Sequence, residues 1–329
     1  MMSDMSKKKN EHPLLLAAGL ALGCMAAYNC SESKKATANN VNHKEECRIY
    51  SGRFGNISYK HYGSGKPVLL IHDLNPASGM TEWAPTAKAL SESHSVYIID
   101  LPGCGFSDKS SLEYSAYMYA LAINDFVHNR ICRSHDVDGI CAVASSASSP
   151  LLVCAASLDA SLYSNICLIN PQTIENCYCN PTTNPSLVKL ERIVCNTPIV
   201  GSFIYNLHYS RNNILSRISA DNPYLTDEAK EELADSMYEA SHLGGYTSKF
   251  LFSSIMGNLL SLDINRMLDK LTTSTCIIAG ADNKKVKNKL STFDKDKDNI
   301  STIILDDINN PQLECPERLA TILNELITH

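Results

Sequence analysis

Ser145, Ser146 and Ser148 fall where an apolar run, Ile140 to Val143, stops at small residues and a second apolar segment leads on to Ala156. That order of residue types describes a strand, a tight turn and a helix. A serine hydroxyl at such a turn is a candidate nucleophile, yet at neutral pH it needs an adjacent base that is itself oriented by an acid. The chemistry therefore depends on which imidazoles and carboxylates the rest of the chain brings to one point. Metal chemistry has no such support. Cys177 and Cys179 are the closest cysteine pair, with no second pair or nearby histidine to complete a zinc site. Gly63-Ser64-Gly65-Lys66 lacks the spacing of a phosphate-binding loop. No metal and no cofactor is expected.

The elements that would position Ser146 read as alternating strands and short helices. Residues 56–61, 67–71, 95–99, 165–169, 275–279 and 301–305 are short apolar or alternating runs, with a helix over 81–90 and a closing helix over 316–327. Strands and helices in alternation predict a parallel sheet with its loops at the strand ends. From about 171 to 266 the pattern changes. Residues 187–194, 200–207, 227–240 and 251–260 have helical spacing and no buried-strand run, which predicts a helical insertion.

Composition bounds the partners. The 329 residues carry a formal charge of -6, and Lys and Arg are dispersed apart from Lys7 to Lys9 and the set Lys284, Lys285, Lys287 and Lys289. The second set reads as a solvated helix face, so no nucleic-acid groove is expected. The 13 cysteines mostly sit among apolar neighbours, where a thiol behaves as a small core residue, and they form no regular framework.

At the N-terminus, Lys7 to Lys9 precede Pro13 to Ala27, a run of 15 residues without charge. A positive region followed by an apolar segment is the pattern of a signal peptide or short signal anchor. Fifteen residues fall short of the roughly twenty that span a bilayer, which puts Tyr28 and Cys30 in the interface. Ser31 to Glu46 reads as a polar linker. The expectation is attachment to a membrane through this segment, with the lysines keeping the N-terminus cytoplasmic and the globular part extracytoplasmic.

Three stretches together resemble the α/β-hydrolase family. Leu69-Leu70-Ile71-His72-Asp73 is similar to its strand and H-G loop, and Asp100-Leu101-Pro102-Gly103-Cys104-Gly105-Phe106-Ser107-Asp108 to its D-x-P-G-x-G-x-S-D loop. Ala144-Ser145-Ser146-Ala147-Ser148 is similar to the G-x-S-x-G nucleophile elbow, with Ala144 and Ser148 in place of the glycines. The resemblance implies an α/β-hydrolase fold: a mostly parallel central sheet flanked by helices, with the insertion as a lid. It divides the chain into 1–47 (anchor or signal with linker), 48–170 (first part of the core), 171–266 (helical lid) and 267–329 (second part).

The same resemblance places the chemistry. Ser146 takes the nucleophile position, and the N–H groups of Ala147 and of Leu74 or Asp73 form the oxyanion hole. The acid position, G-x-x-D, reads Gly280-Ala281-Asp282-Asn283, so Asp282 serves only with a shift of one residue. The base position, H-x-P-x-x-E-x-P-E, reads Asn309-Asn310-Pro311-Gln312-Leu313-Glu314-Cys315-Pro316-Glu317, with Asn309 where the histidine belongs. Asparagine cannot take and return a proton near pH 7. Among other imidazoles, His208 and His242 lie in the insertion, His329 is terminal, His72 supports its loop and His61 is a strand residue. Two functions follow. One is a serine hydrolase by ancestry, acting on an ester-like bond of a small substrate with weak or absent turnover. The other is a non-catalytic binding or scaffold protein that keeps the fold.

Overall fold

The computed structural model describes residues 11–42, 46–111, 113–172, 184–282 and 297–328. Lys7 to Lys9, Cys177, Cys179, Asn283, the lysines from 284 to 289 and His329 lie outside the described residues. The strands are β1 (Arg48–Gly52), β2 (Gly55–Tyr62), β3 (Lys66–Ile71), β4 (His94–Ile99), β5 (Ile140–Ser145), β6 (Tyr163–Ile169), β7 (Ser274–Gly280) and β8 (Ile300–Leu305). They form one sheet in the order β1-β2-β4-β3-β5-β6-β7-β8. The β1/β2 and β2/β4 pairs are antiparallel and the remaining pairs parallel. This is the fold class expected from the sequence.

The central strands are apolar over most of their length because helices cover both faces. The helices are α1 (Glu11–Ala36), α2 (Ala84–Leu90), α3 (Ala116–Phe126), α4 (Ser149–Leu158), α5 (Pro185–Asn196), α6 (Val200–His208), α7 (Arg211–Asp221), α8 (Asp227–His242), α9 (Lys249–Met256), α10 (Ile264–Leu268) and α11 (Pro316–Thr328). Alternate residues of each strand go to opposite faces. Leu69 and Ile71 join Tyr119, Ile123, Leu151 and Leu152 of α3 and α4, while Val68 and Leu70 join Ala87, Leu90, Leu319 and Leu323 of α2 and α11.

Helices α5 to α10 occupy the segment between β6 and β7, where helical spacing is legible in the sequence. The run read as 251–260 ends early, at Met256, with Gly257 as the C-cap. Residues 109–137 carry no element in the sequence reading. The structure puts α3 there, with the Ser115 hydroxyl accepting from Met118 N–H at 3.3 Å as an N-cap.

The N-terminal helix differs most from expectation. Pro13–Ala36 is long and apolar enough to cross a membrane. The stretch read as the start of a polar linker continues the helix as far as Ala36 and meets a core formed by distant sequence. The Tyr28 ring lies edge-on to Phe203, with centroids 5.4 Å apart. Asn29 donates to Ile199 O at 3.1 Å and accepts from Asn206 Nδ2 at 2.9 Å. The Tyr238 hydroxyl donates to Glu32 Oε2 at 2.7 Å, and Ala36 is buried in a third cluster with Ala77, Tyr205 and Ile214. Beyond the helix, Asn42 N–H donates to Glu239 Oε2 at 2.8 Å.

Candidate active site

β5 delivers the backbone to Ser146, which sits at φ +46 before the turn that opens α4. A non-glycine residue in the left-handed region is strained and persists only where its surroundings fix it. Here they do. Ala144 and Ala147 are buried, and the hydroxyl of Ser148, in a glycine position of the motif, donates to His72 O at 2.6 Å. The sharp turn expected at Ser146 is present.

The loop after β3 comes to the same point. His72 is fully buried, and its Nε2 accepts from Leu101 N–H at 3.0 Å. The ring proton is therefore on Nδ1, 2.7 Å from Asp73 O, to which it donates. Burial, opposed by the nearby Asp100 charge, lowers the affinity of this ring for a second proton. With both nitrogens engaged, His72 fixes the loop rather than serving as a base. The D-x-P-G-x-G-x-S-D segment is a structural loop in the same sense. Asp100 Oδ1 and Oδ2 accept from Met80 N–H at 2.6 Å and Phe106 N–H at 2.8 Å. Gly105, at φ +45, has no room for a Cβ, which would lie 2.2 Å from Asp100 Cγ.

The backbone donors expected to form an oxyanion hole are taken up by side chains of the chain itself. Ala147 N–H donates to Asp73 Oδ1 at 2.9 Å, and Asp73 N–H donates to Glu82 Oε2 at 3.0 Å. Of the backbone donors expected there, one meets a carboxylate and another points to Glu82; Leu74 is buried beside them. Glu82 also accepts from the Ser145 hydroxyl at 2.5 Å and from Gln312 Nε2 at 3.2 Å. Burial, and then the charge of Asp73, push its carboxyl up to about 7.

The acid and base positions face the helical insertion. Asp282 Oδ2 accepts from the Tyr224 hydroxyl. Asn309 Nδ2 donates to Asp221 O at the end of α7, and its own N–H donates to Glu314 Oε2 at 2.6 Å. Asn310 donates to Asp221 O at 2.7 Å and to Asn222 Oδ1 at 2.8 Å. Asn170 joins the two strand ends: its Oδ1 accepts from Gly280 N–H at 3.0 Å, and its Nδ2 donates to Asn309 O at 2.8 Å. The structure thus brings Asp282 and Asn309 to neighbouring loops but does not link them to Ser146.

Like His72, the imidazoles of His208, His242 and His61 are engaged away from the Ser146 hydroxyl. His208 Nε2 lies 2.8 Å from Arg217 Nη1, and burial and that guanidinium lower its pKa to about 4. His242 packs between Tyr205 and Tyr238, with Nδ1 2.8 Å from Tyr238 O. His61 Nε2 is 2.7 Å from Ser95 Oγ. Sequence reasoning missed Glu82, Gln312 and Asn170, and their residue types gave no signal because only the fold makes them neighbours. A separate cavity of about 720 Å³, lined by Lys66, Cys141, Cys167, Cys276 and Glu325, opens at the beginnings of the parallel strands and does not adjoin Ser146. No disulfide and no metal-binding group of His, Cys, Asp and Glu occurs among the described residues.

A family model for the alpha/beta hydrolase fold matches residues 66–192. No curated protein sequence matches the chain. Among solved structures, a serine hydrolase involved in carbazole degradation is 17% identical, with TM-score 0.68, covering 86% of this chain and 98% of that one. A thermophilic esterase from Thermogutta terrifontis is 14% identical, with TM-score 0.66 and coverage of 86% and 98%. A membrane phospholipase A described as a bacterial virulence factor is 16% identical, with TM-score 0.64, and covers 98% of both chains. Likenesses at these identities establish the fold.

Proposed function

This chain is an α/β-hydrolase-fold protein, and from that premise we propose that it is a membrane-attached member whose elbow site binds a small ester-like ligand without acyl transfer through Ser146. One contact carries the reading: the Ala147 N–H that should receive a developing oxyanion is held by the Asp73 carboxylate at 2.9 Å. Loss of a single oxyanion donor costs about 10²–10³ in turnover, and an anion in its place also repels the charge that develops. Asparagine at position 309 removes the general base, worth about another 10²–10⁴. Residues 171–266 act as the lid over this site, its closed position held by the bonds from Tyr224, Asp221 and Asn222 to the acid and base loops.

Membrane attachment is assigned to the uncharged part of α1, with the globular part extracytoplasmic. Its support is the length and apolarity of Pro13–Ala36 and the coverage of both whole chains in the likeness to a membrane phospholipase A. A fluorophosphonate probe tests the main claim. Folded protein should remain unlabelled, and labelling abolished by Ser146→Ala would overturn it. That second result belongs to the other reading, residual ester hydrolysis. Its support is the retained φ of +46 at Ser146, the strain of a working elbow.

A further inference from the structure

The most apolar part of the anchor, Pro13 to Ala27, is shorter than a bilayer, and the rest of the membrane-length helix Pro13–Ala36 lies against the helical insertion. From Pro13 to Ala27, 15 residues are free of charge, giving about 22 Å of helix at 1.5 Å per residue. The hydrocarbon core is about 30 Å thick and takes roughly twenty residues, so roughly five more must follow Ala27 into or against the acyl region. Those are the residues packed on α6: Tyr28 on Phe203, and Asn29 on Ile199 O and Asn206. Whatever depth Tyr28 and Asn29 take, α6 takes with them.

The insertion presents exposed apolar surface on α6 and on the helix packed against it. Leu207 lies one turn beyond Phe203, hence on the same face of α6, and is 43% exposed. On α5, which packs against α6, Leu187, Leu190 and Ile193 follow at intervals of three and are 53%, 54% and 53% exposed. Three large apolar side chains repeating along one helical face are the pattern of a helix lying in an interface. Nothing else in the described residues covers them.

We propose that α5 and the exposed face of α6 lie on the bilayer surface, with Leu187, Leu190, Ile193 and Leu207 seated at the boundary between headgroups and acyl chains. The occupant of this face is lipid, brought there by the anchor that packs on the adjoining helix. The N-terminal helices of the lid are then held against the membrane, through α1 and through α5. The proposal rests on the membrane reading of α1 and adds to it which surface of the globular part meets the lipid.

Tryptophan quenching decides the matter in the full-length protein reconstituted into phosphatidylcholine vesicles carrying bromine near the headgroup end of the acyl chains. The single natural tryptophan, Trp83, is fully buried and supplies a constant background. Leu190→Trp and Leu207→Trp should be quenched at least about twofold more than Leu158→Trp, at the far end of α4, as expected for side chains within ~5–10 Å of the headgroup boundary. Protein that floats with the vesicles but shows the same quenching at all three positions overturns the docking face and leaves the anchor standing. Protein that does not float overturns both. Protection of Leu190→Trp from brominated lipid and from aqueous iodide alike would assign the face to a second copy of the chain, and also overturns the proposal.

Discussion

Asp73 and Ala147 are 74 positions apart in sequence, yet a carboxylate oxygen of the first accepts the backbone N–H of the second at 2.9 Å. In an acyl-transfer enzyme that N–H faces the oxygen of the substrate carbonyl. The bond here satisfies a donor that the strained turn at Ser146 leaves pointing outward, and the rest of the carboxylate's surroundings hold it in place. Asp73 N–H is tied to Glu82, and His72, next in sequence, is tied to Leu101.

Freeing that N–H and supplying a base should restore chemistry only in combination. Asp73→Gly alone leaves Ser146 without proton acceptance, and Asn309→His alone leaves the oxyanion position filled. The double variant should hydrolyse p-nitrophenyl acetate about 10²-fold or more faster than the parent, the lower end of what a general base contributes. Equal rates in parent and double variant would show that position 309 does not address Ser146.

Glu82 should make the protein less stable as pH rises. Its folded pKa of about 7 stands above the ordinary 4.5, because burial and then Asp73 disfavour the anion. Between those values the unfolded chain releases the proton first, so stability is greatest below pH 4.5 for this group, falls through the window and levels off above 7. The loss is on the order of 3 kcal/mol for so deeply buried a group. Urea unfolding of the parent and of Glu82→Gln at pH 5 and pH 8 measures it, and the variant should show the flatter profile.

Asn170 holds β6, β7 and the loop after β8 together from a left-handed backbone position at φ +46. Asn170→Ala removes its buried bonds to Gly280 and Asn309 and places a methyl group at positive φ, and should cost about 2–4 kcal/mol. Asn170→Gly loses the same bonds without the backbone strain and should cost less. The order of the two in denaturant midpoints is the check.

Asn310 and Tyr224 fasten the insertion to the core from opposite partners. Asn310→Ala with Tyr224→Phe removes the bonds that these two side chains make to Asp221, Asn222 and Asp282, of which Asp221 and Asp282 are exposed and Asn222 is buried. Hydrogen exchange at the end of α7 should speed up by about tenfold while β3 to β6 stay protected, as expected for local opening. Unchanged exchange there would show that these bonds do not control opening of the insertion, which Asn309 and the apolar cluster then hold.

The sequence by itself determined the strands of the parallel sheet, because a strand buried on both faces must be largely apolar, and 67–71, 95–99 and 275–279 are, with only Ser95 and Thr275 polar. It also determined the elbow, since only small residues tolerate so tight a turn, and the glycines of the 100–108 loop, one of which has no space for a side chain. β1 was not legible, its residues being mostly exposed and without alternation. Nor was the fate of the residues from Ser31 onward, whose polar character suggested a linker. Glu32 and Asn42 are polar because they bond Tyr238 and Glu239, some two hundred positions away. Tertiary structure alone decided where the Asp73 carboxylate points and that Glu82 stands behind it. Hydrogen bonds depend on distances of a few ångströms between groups whose separation along the chain carries no information about them, and burial, which sets their charge, is a property of the assembled core.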